Sequence, residues 1–366
     1  MKQDAILIIG DDLRINKPFL EYIFESYEKR RGELGEVNFM PKNSKDLPFA
    51  IENFAQNFSF LTIFGDDEAY ATSSKILATL TNDCLELKAP DVLVPKNAIN
   101  FTKNSFLVKL NETQISLVRA IPTQNLGEIL TPAGDESAYF CLFDVDEESA
   151  KILLSPLANT YDVKTNQTAL IDGLCLIRAQ ANKFGQLEGF LQGAKTLFSQ
   201  KMMQGDDPIE FIAKKLIASG KKIAFAESCT AGLAAAKFAR VSGVSAAFDG
   251  SLVTYANKIK HDWLGVGDEI LDTYGAVSEQ CVRAMLNGAI ISTDADFALA
   301  ISGIAGPDGG SASKPVGTVF VGAMSRDKSV IVERLLLKGG RNYVREQSVL
   351  HAFVCLLRLK SDEFLG

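Results

Sequence analysis

The chain has 366 residues, enough for two or three domains, and its 47% apolar and 23% charged content is ordinary for a globular protein. No run of about 18 apolar residues exists, and the opening "MKQDAILIIGDDLR" lacks a secretory pattern, so neither a membrane span nor a signal peptide is expected. The net charge of −7 disfavours non-specific nucleic-acid binding, and six scattered cysteines without a C-x-x-C pair disfavour a zinc or disulfide framework and fit a reducing cytoplasm.

Residues 1–130 alternate strand and helix signals. "AILIIG" and "FLTIFG" read as buried strands, "KPFLEYIFESYEKR" and "DDEAYATSSKILATL" as helices, and "SFLVKL" and "ISLVRAI" as shorter strands. This order predicts a parallel α/β sheet. The turn-rich stretch 122–137 marks a boundary. Residues 138–203 read as a small α+β unit: strand "YFCLFDV", helix "EESAKILLSPLA", a strand around "DGLCLIRA" and helix "GQLEGFLQGAKTLFSQ".

From 204 to 366 the α/β alternation resumes. Asp207, Pro208 and Gly220 bracket a helix as cap, first turn and stop. Strand "KKIAFA" runs into "ESCT", followed by the helical "AGLAAAKFARV". Strand "SLVTYA", helix "SEQCVRAMLNGAIIS" capped by Ser278, strand "FALAIS", the loop "GIAGPDGGSASKP", two further strands and a final helix complete the domain.

Three stretches here suit chemistry. In "AESCTAG" a hydroxyl near a helix N-terminus feels the positive end of the dipole and free backbone amides, which suits a serine nucleophile and its oxyanion. Capping by Ser or Thr is the plainer alternative. In "YANKIKH", Tyr255, Lys258 and Lys260 leave a strand. A lysine there becomes a base only if burial or a nearby cation lowers its pKa; the plainer reading is a solvated turn. In "SGIAGPDGG", glycines at a strand end let backbone amides approach an anion, although an ordinary wide turn has the same composition. Arg341 in "KGGR" offers a forked phosphate donor. Only two histidines are present, His261 and His351, neither in a catalytic pattern, so a hydrolase built on this chain needs a lysine, a carboxylate or a metal-bound water as base.

In this order, "AESCTAG", "VTYANKIK", "YGAVSE", "SGIAGPDGGSASKPVGTV" and "GGR" resemble the C-terminal domain of the CinA family over about residues 205–366. The resemblance implies hydrolysis of nicotinamide mononucleotide to nicotinic acid mononucleotide and ammonia, without a cofactor. It implies Ser228 as nucleophile and Tyr255 and Lys260 as the proton-transfer and activating pair. It places Thr230, Ser302, Gly303, Gly306, Gly309, Gly310 and Arg341 near the substrate, with Cys229 facing the sheet and Thr230 capping the helix. Lys258 and Arg341 are the expected cations that would depress Lys260. The second glycine of the family motif is Ala231 here, harmless if helical and costly if φ is positive.

The same family carries a molybdopterin-binding-like domain and a KH-like connector ahead of this domain, matching 1–137 and 138–203. In active relatives the first domain hydrolyses ADP-ribose with a divalent metal. Here the phosphate loop reads "TIFGDDEAYATS": Gly65, Asp66 and Asp67 remain without the loop glycines and proline. The first domain is therefore expected to be catalytically degenerate, a scaffold or ligand sensor without a dependable metal. The resemblance further implies a cytoplasmic homodimer without membrane or nucleic-acid partners. Two other readings stay open: a catalytically silent nucleotide-binding or regulatory protein, and thiol chemistry at Cys229.

Overall fold

The computed structural model describes residues 4–90, 92–131, 137–182 and 184–366. Of the boundary stretch expected at 122–137, residues 132–136 lie outside this set. The chain divides into two compact units, Met1–Asp135 and Glu136–Gly366.

The first unit holds a six-stranded sheet in the order Glu36–Met40, Asp4–Ile9, Phe60–Gly65, Thr113–Arg119, Ser105–Leu110, Asn100–Thr102. Its first four strands are parallel. Ala5 to Ile9 are wholly buried, because alternate residues serve two cores: Ala5, Leu7 and Ile9 in one, Ile6 and Ile8 in the other. The sheet is not parallel throughout. Only Asn111 and Glu112 separate Ser105–Leu110 from Thr113–Arg119, and a two-residue link can join only antiparallel strands. Asn111 supplies the positive φ, 55°, that such a turn requires.

The second unit begins with four antiparallel strands in the order Val163–Ile171, Leu174–Ala181, Ser137–Phe143, Met202–Gln204, with helices Glu147–Thr160 and Leu187–Leu197. Chain order is β-α-β-β-α-β, a split β-α-β arrangement. Val163–Ile171 escapes the sequence pattern because it is an edge strand, mostly polar and half exposed. Cys141, Phe143 and Leu174 share a hydrophobic cluster with Ile209, Phe225 and Phe353 of the following domain.

That domain is a five-stranded sheet in the order Phe248–Val253, Ile223–Glu227, Phe297–Gly303, Thr318–Ser325, Val330–Leu336. The first three strands are parallel and the last two antiparallel. Period-two alternation sorts the side chains. Ile223, Phe225, Leu299 and Ile301 join the cluster with helices Pro208–Ser219 and Arg341–Leu359; Ala226, Ala298 and Ala300 join the cluster with helix Glu279–Thr293. The small alanines let that helix sit close. Because the chain leaves Ile223–Glu227 for one neighbour and Phe297–Gly303 for the other, the crevice between their carboxyl ends is the topological switch point, where open α/β sheets bind ligands. Ser228 follows the first strand, and Ser302 and Gly303 end the second.

Candidate active site

Ser228 sits in a turn rather than at a helix cap. The helix predicted from Ala231 spans only Leu233–Phe238, with Gly232 as its N-cap at φ 89°. Ala231 has φ 49°, the left-handed region that costs a non-glycine residue about 1–2 kcal/mol. The family glycine is therefore replaced where a Cβ is unfavourable. The turn is pinned by Ser228 N donating to Ile301 O at 2.9 Å and Ala231 N donating to Ser228 O at 3.1 Å. The Cys229 and Thr230 amides have no carbonyl partner among the described residues.

Thr230 does not cap the helix: its Oγ1 is buried without a partner. Glu227, 1% exposed, does so instead. Its carboxylate accepts from Ala234 N and Ala235 N, both at 3.0 Å, and from Ser251 Oγ at 3.1 Å. Reading strand and helix separately misses this role, because Glu227 completes the strand and reaches across the turn.

Lys260 belongs not to a solvated turn but to helix Asn257–Leu264, which three residues separate from the end of strand Phe248–Val253. The residue is 1% exposed. Nζ lies 2.9 Å from Ser228 Oγ, 2.8 Å from Thr254 O and 3.0 Å from Tyr255 O. An ammonium would donate to all three. A neutral amine has two N–H groups, enough for the two carbonyls, and turns its lone pair to the Ser228 hydroxyl. Burial pushes the Lys260 pKa below its usual range. The expected cations are not the cause: Lys258 is exposed and paired with Asp262, and Arg341 is engaged elsewhere.

Arg341 ties two predicted elements together. Nη1 donates to Gly306 O at 2.8 Å and Nη2 to the Tyr255 phenol oxygen at 3.1 Å. Tyr255 is 57% exposed; its carbonyl, not its phenol, meets Lys260. Ser302 is buried, and its Oγ donates to Ala276 O at 2.8 Å, fastening the "YGAVSE" stretch to the sheet. The glycine loop folds back through Gly317 N donating to Ile304 O at 2.8 Å. Gly303 lies against Val319 and Gly306 against Val316, with a Cβ on the latter only 2.5 Å from Val316 Cγ1. Gly309 and Gly310 are exposed in the same loop. Arg345, one turn beyond Arg341, donates from Nη2 to Thr230 O at 2.6 Å, and no motif in the sequence marks it.

Cys229 is buried in the hydrophobic cluster, and burial pushes its thiol up to about 11, so it is not a thiolate near neutral pH. His261 Nδ1 lies 3.1 Å from Val266 O, and His351 is buried in helix Arg341–Leu359.

In the first unit, Asp66 caps helix Asp67–Leu80 through Ala69 N at 3.0 Å. Lys42 Nζ pairs with Asp66 and with Asp12, while Asp67 pairs with Arg119. The acids are thus neutralised by the chain's own cations. Among the described residues no three His, Cys, Asp or Glu side chains converge to hold a metal. No described helix is long and apolar enough to cross a membrane.

Residues 206–360 match the family model for the CinA C-terminal domain. A CinA-like protein of Thermosipho melanesiensis is 45% identical over 153 residues, 42% of this chain and 38% of that protein. The chain thus matches about two-fifths of that relative's length. A nicotinamide-nucleotide amidohydrolase PncC of Enterobacter agglomerans is 46% identical over 147 residues, 40% of this chain and 90% of that protein. The crystal structure of the competence/damage inducible protein CihA from Agrobacterium tumefaciens is similar at 41% identity, covering 42% of this chain and 96% of that one, with a TM-score of 0.40.

Proposed function

The chain belongs to the CinA family, and on that premise we propose that its C-terminal domain hydrolyses the carboxamide of nicotinamide mononucleotide, with Ser228 and Lys260 as the reacting pair. One observation carries this reading: a buried lysine amine 2.9 Å from a serine hydroxyl, at the switch point of the sheet.

The neutral Lys260 amine takes the Ser228 proton as Oγ attacks the amide carbon. The Cys229 and Thr230 amides, which have no carbonyl partner among the described residues, are the donors for the oxyanion that forms. Protonated Lys260 then returns its proton to the nitrogen, the C–N bond breaks, and ammonia leaves an acyl group on Ser228. Water, deprotonated by Lys260, hydrolyses that ester. Tyr255 and Arg341, hydrogen-bonded to each other and through Arg341 to the glycine loop, contact the nucleotide rather than the reacting carbon.

The test is ammonia release from nicotinamide mononucleotide. Wild-type protein should release it, Ser228→Ala should not, and Cys229→Ala should retain it. Binding without turnover in the wild type would favour a silent nucleotide-binding protein. For the first unit we propose no ADP-ribose hydrolysis, since Asp66 and Asp67 are held by Lys42 and Arg119; turnover of ADP-ribose with magnesium would refute this.

A further inference from the structure

We propose that Arg345 is a positioning residue for Ser228, holding the Ser228–Gly232 turn in a left-handed shape that Ala231 alone disfavours. The kinetic side of this inference rests on the amidase reading; its structural side does not. Ala231 at φ 49° occupies a region disfavoured for a residue with a Cβ by about five- to thirty-fold. Something must hold it there. Relaxation to negative φ would swing the peptide that joins Thr230 to Ala231. That peptide makes three bonds: its carbonyl accepts from Arg345 Nη2 at 2.6 Å and from Leu233 N at 3.2 Å, and its amide donates to Ser228 O at 3.1 Å. The swing would break all three; Arg345 supplies the shortest, and the last belongs to the nucleophile's own residue.

The guanidinium is committed to this task. Arg345 Nη1 donates to Asn342 Oδ1 at 3.2 Å, which orients the fork, and Nε is buried without a partner. A buried donor left unpaired is costly, and here it accompanies the delivery of Nη2 to Thr230. Arg345 lies four residues beyond Arg341 and so shares its side of helix Arg341–Leu359. One helix face thereby fastens both the glycine loop and the nucleophile turn.

The experiment compares wild type, Arg345→Met, Arg345→Lys and Arg345→Met/Ala231→Gly by ammonia release and by the rate at which a small alkyl fluorophosphonate labels Ser228. Arg345→Met should lower kcat at least tenfold with KM changed less than threefold, and should slow labelling in proportion. Arg345→Lys, which keeps one donor, should lose less. Adding Ala231→Gly to Arg345→Met should recover at least threefold, because glycine takes positive φ without a steric cost. Wild-type labelling in Arg345→Met, a loss confined to KM, no recovery by Ala231→Gly, or no labelling of wild-type Ser228 would each overturn the proposal. Should Arg345→Met fail to fold, Arg345→Lys with and without Ala231→Gly carries the same comparison. If the wild type is labelled but releases no ammonia, the amidase reading falls and the labelling rates still decide this one.

Discussion

Replacing Glu227 by glutamine keeps the shape of the side chain and removes one acceptor. In the structure Oε1 accepts from Ala235 N and Ser251 Oγ, and Oε2 accepts from Ala234 N. A glutamine can keep its oxygen on the first pair, but its NH₂ then faces the Ala234 amide, donor against donor. Hydrogen bonds to a charged group contribute about 1.5–3 kcal/mol each, and a buried unpaired donor adds a desolvation cost. With Glu227 only 1% exposed, water cannot substitute. The expected loss is about 3 kcal/mol, or roughly 6–12 °C in unfolding temperature at the 2–4 °C per kcal/mol usual for 150–250 residues. Glu227→Ala, which leaves both amides bare, should cost more. The chain has a single tryptophan, Trp263, in the second unit, so urea unfolding followed by its fluorescence reads this unit alone. A Glu227→Gln protein within about 0.5 kcal/mol of wild type would refute the account of the turn.

Other outcomes follow from the same geometry. Lys260→Arg should be inactive although it keeps a positive charge, because guanidinium stays protonated; wild-type-like ammonia release would exclude Lys260 as the base. Because burial lowers the Lys260 pKa from 10.5 and the base must be neutral, kcat/KM should rise with pH along a limb centred below 10.5. Between that lowered pKa and 10.5 the unfolded chain binds more protons at this residue than the folded one. Stability should therefore rise with pH across that window, and Lys260→Met should flatten the slope of unfolding free energy against pH. Gly288→Ala should destabilise by about 2 kcal/mol or more in the same urea assay, although alanine is the better helix former: its Cβ would overlap the Leu264 carbonyl at the end of the helix that carries Lys260. A stabilised Gly288→Ala protein would contradict that packing.

Much of the fold is legible because burial leaves a plain pattern. Strands such as Phe297–Gly303, covered on both faces, read as continuous apolar runs, and Ser278 declares the start of helix Glu279–Thr293. Val163–Ile171 is hidden because an edge strand needs few apolar residues. The site is legible as a set of residue types but not as a set of contacts. Nothing local in "ANKIKH" says that Lys260 is buried while Lys258 is exposed; the difference arises from which face of a short helix turns inward when it packs on helix Glu279–Thr293. Likewise the cap supplied by Glu227, the idle hydroxyl of Thr230 and the grip of Arg345 on its carbonyl connect residues that only the tertiary fold brings together.

The central claim, that Ser228 and Lys260 act as one unit, is tested most directly by a double-mutant cycle on ammonia release from nicotinamide mononucleotide. Ser228→Ala, Lys260→Met and the double variant should all lose activity to the same residual level, since removing either partner idles the other. Losses that multiply in the double variant, or an active Ser228→Ala protein, would contradict it.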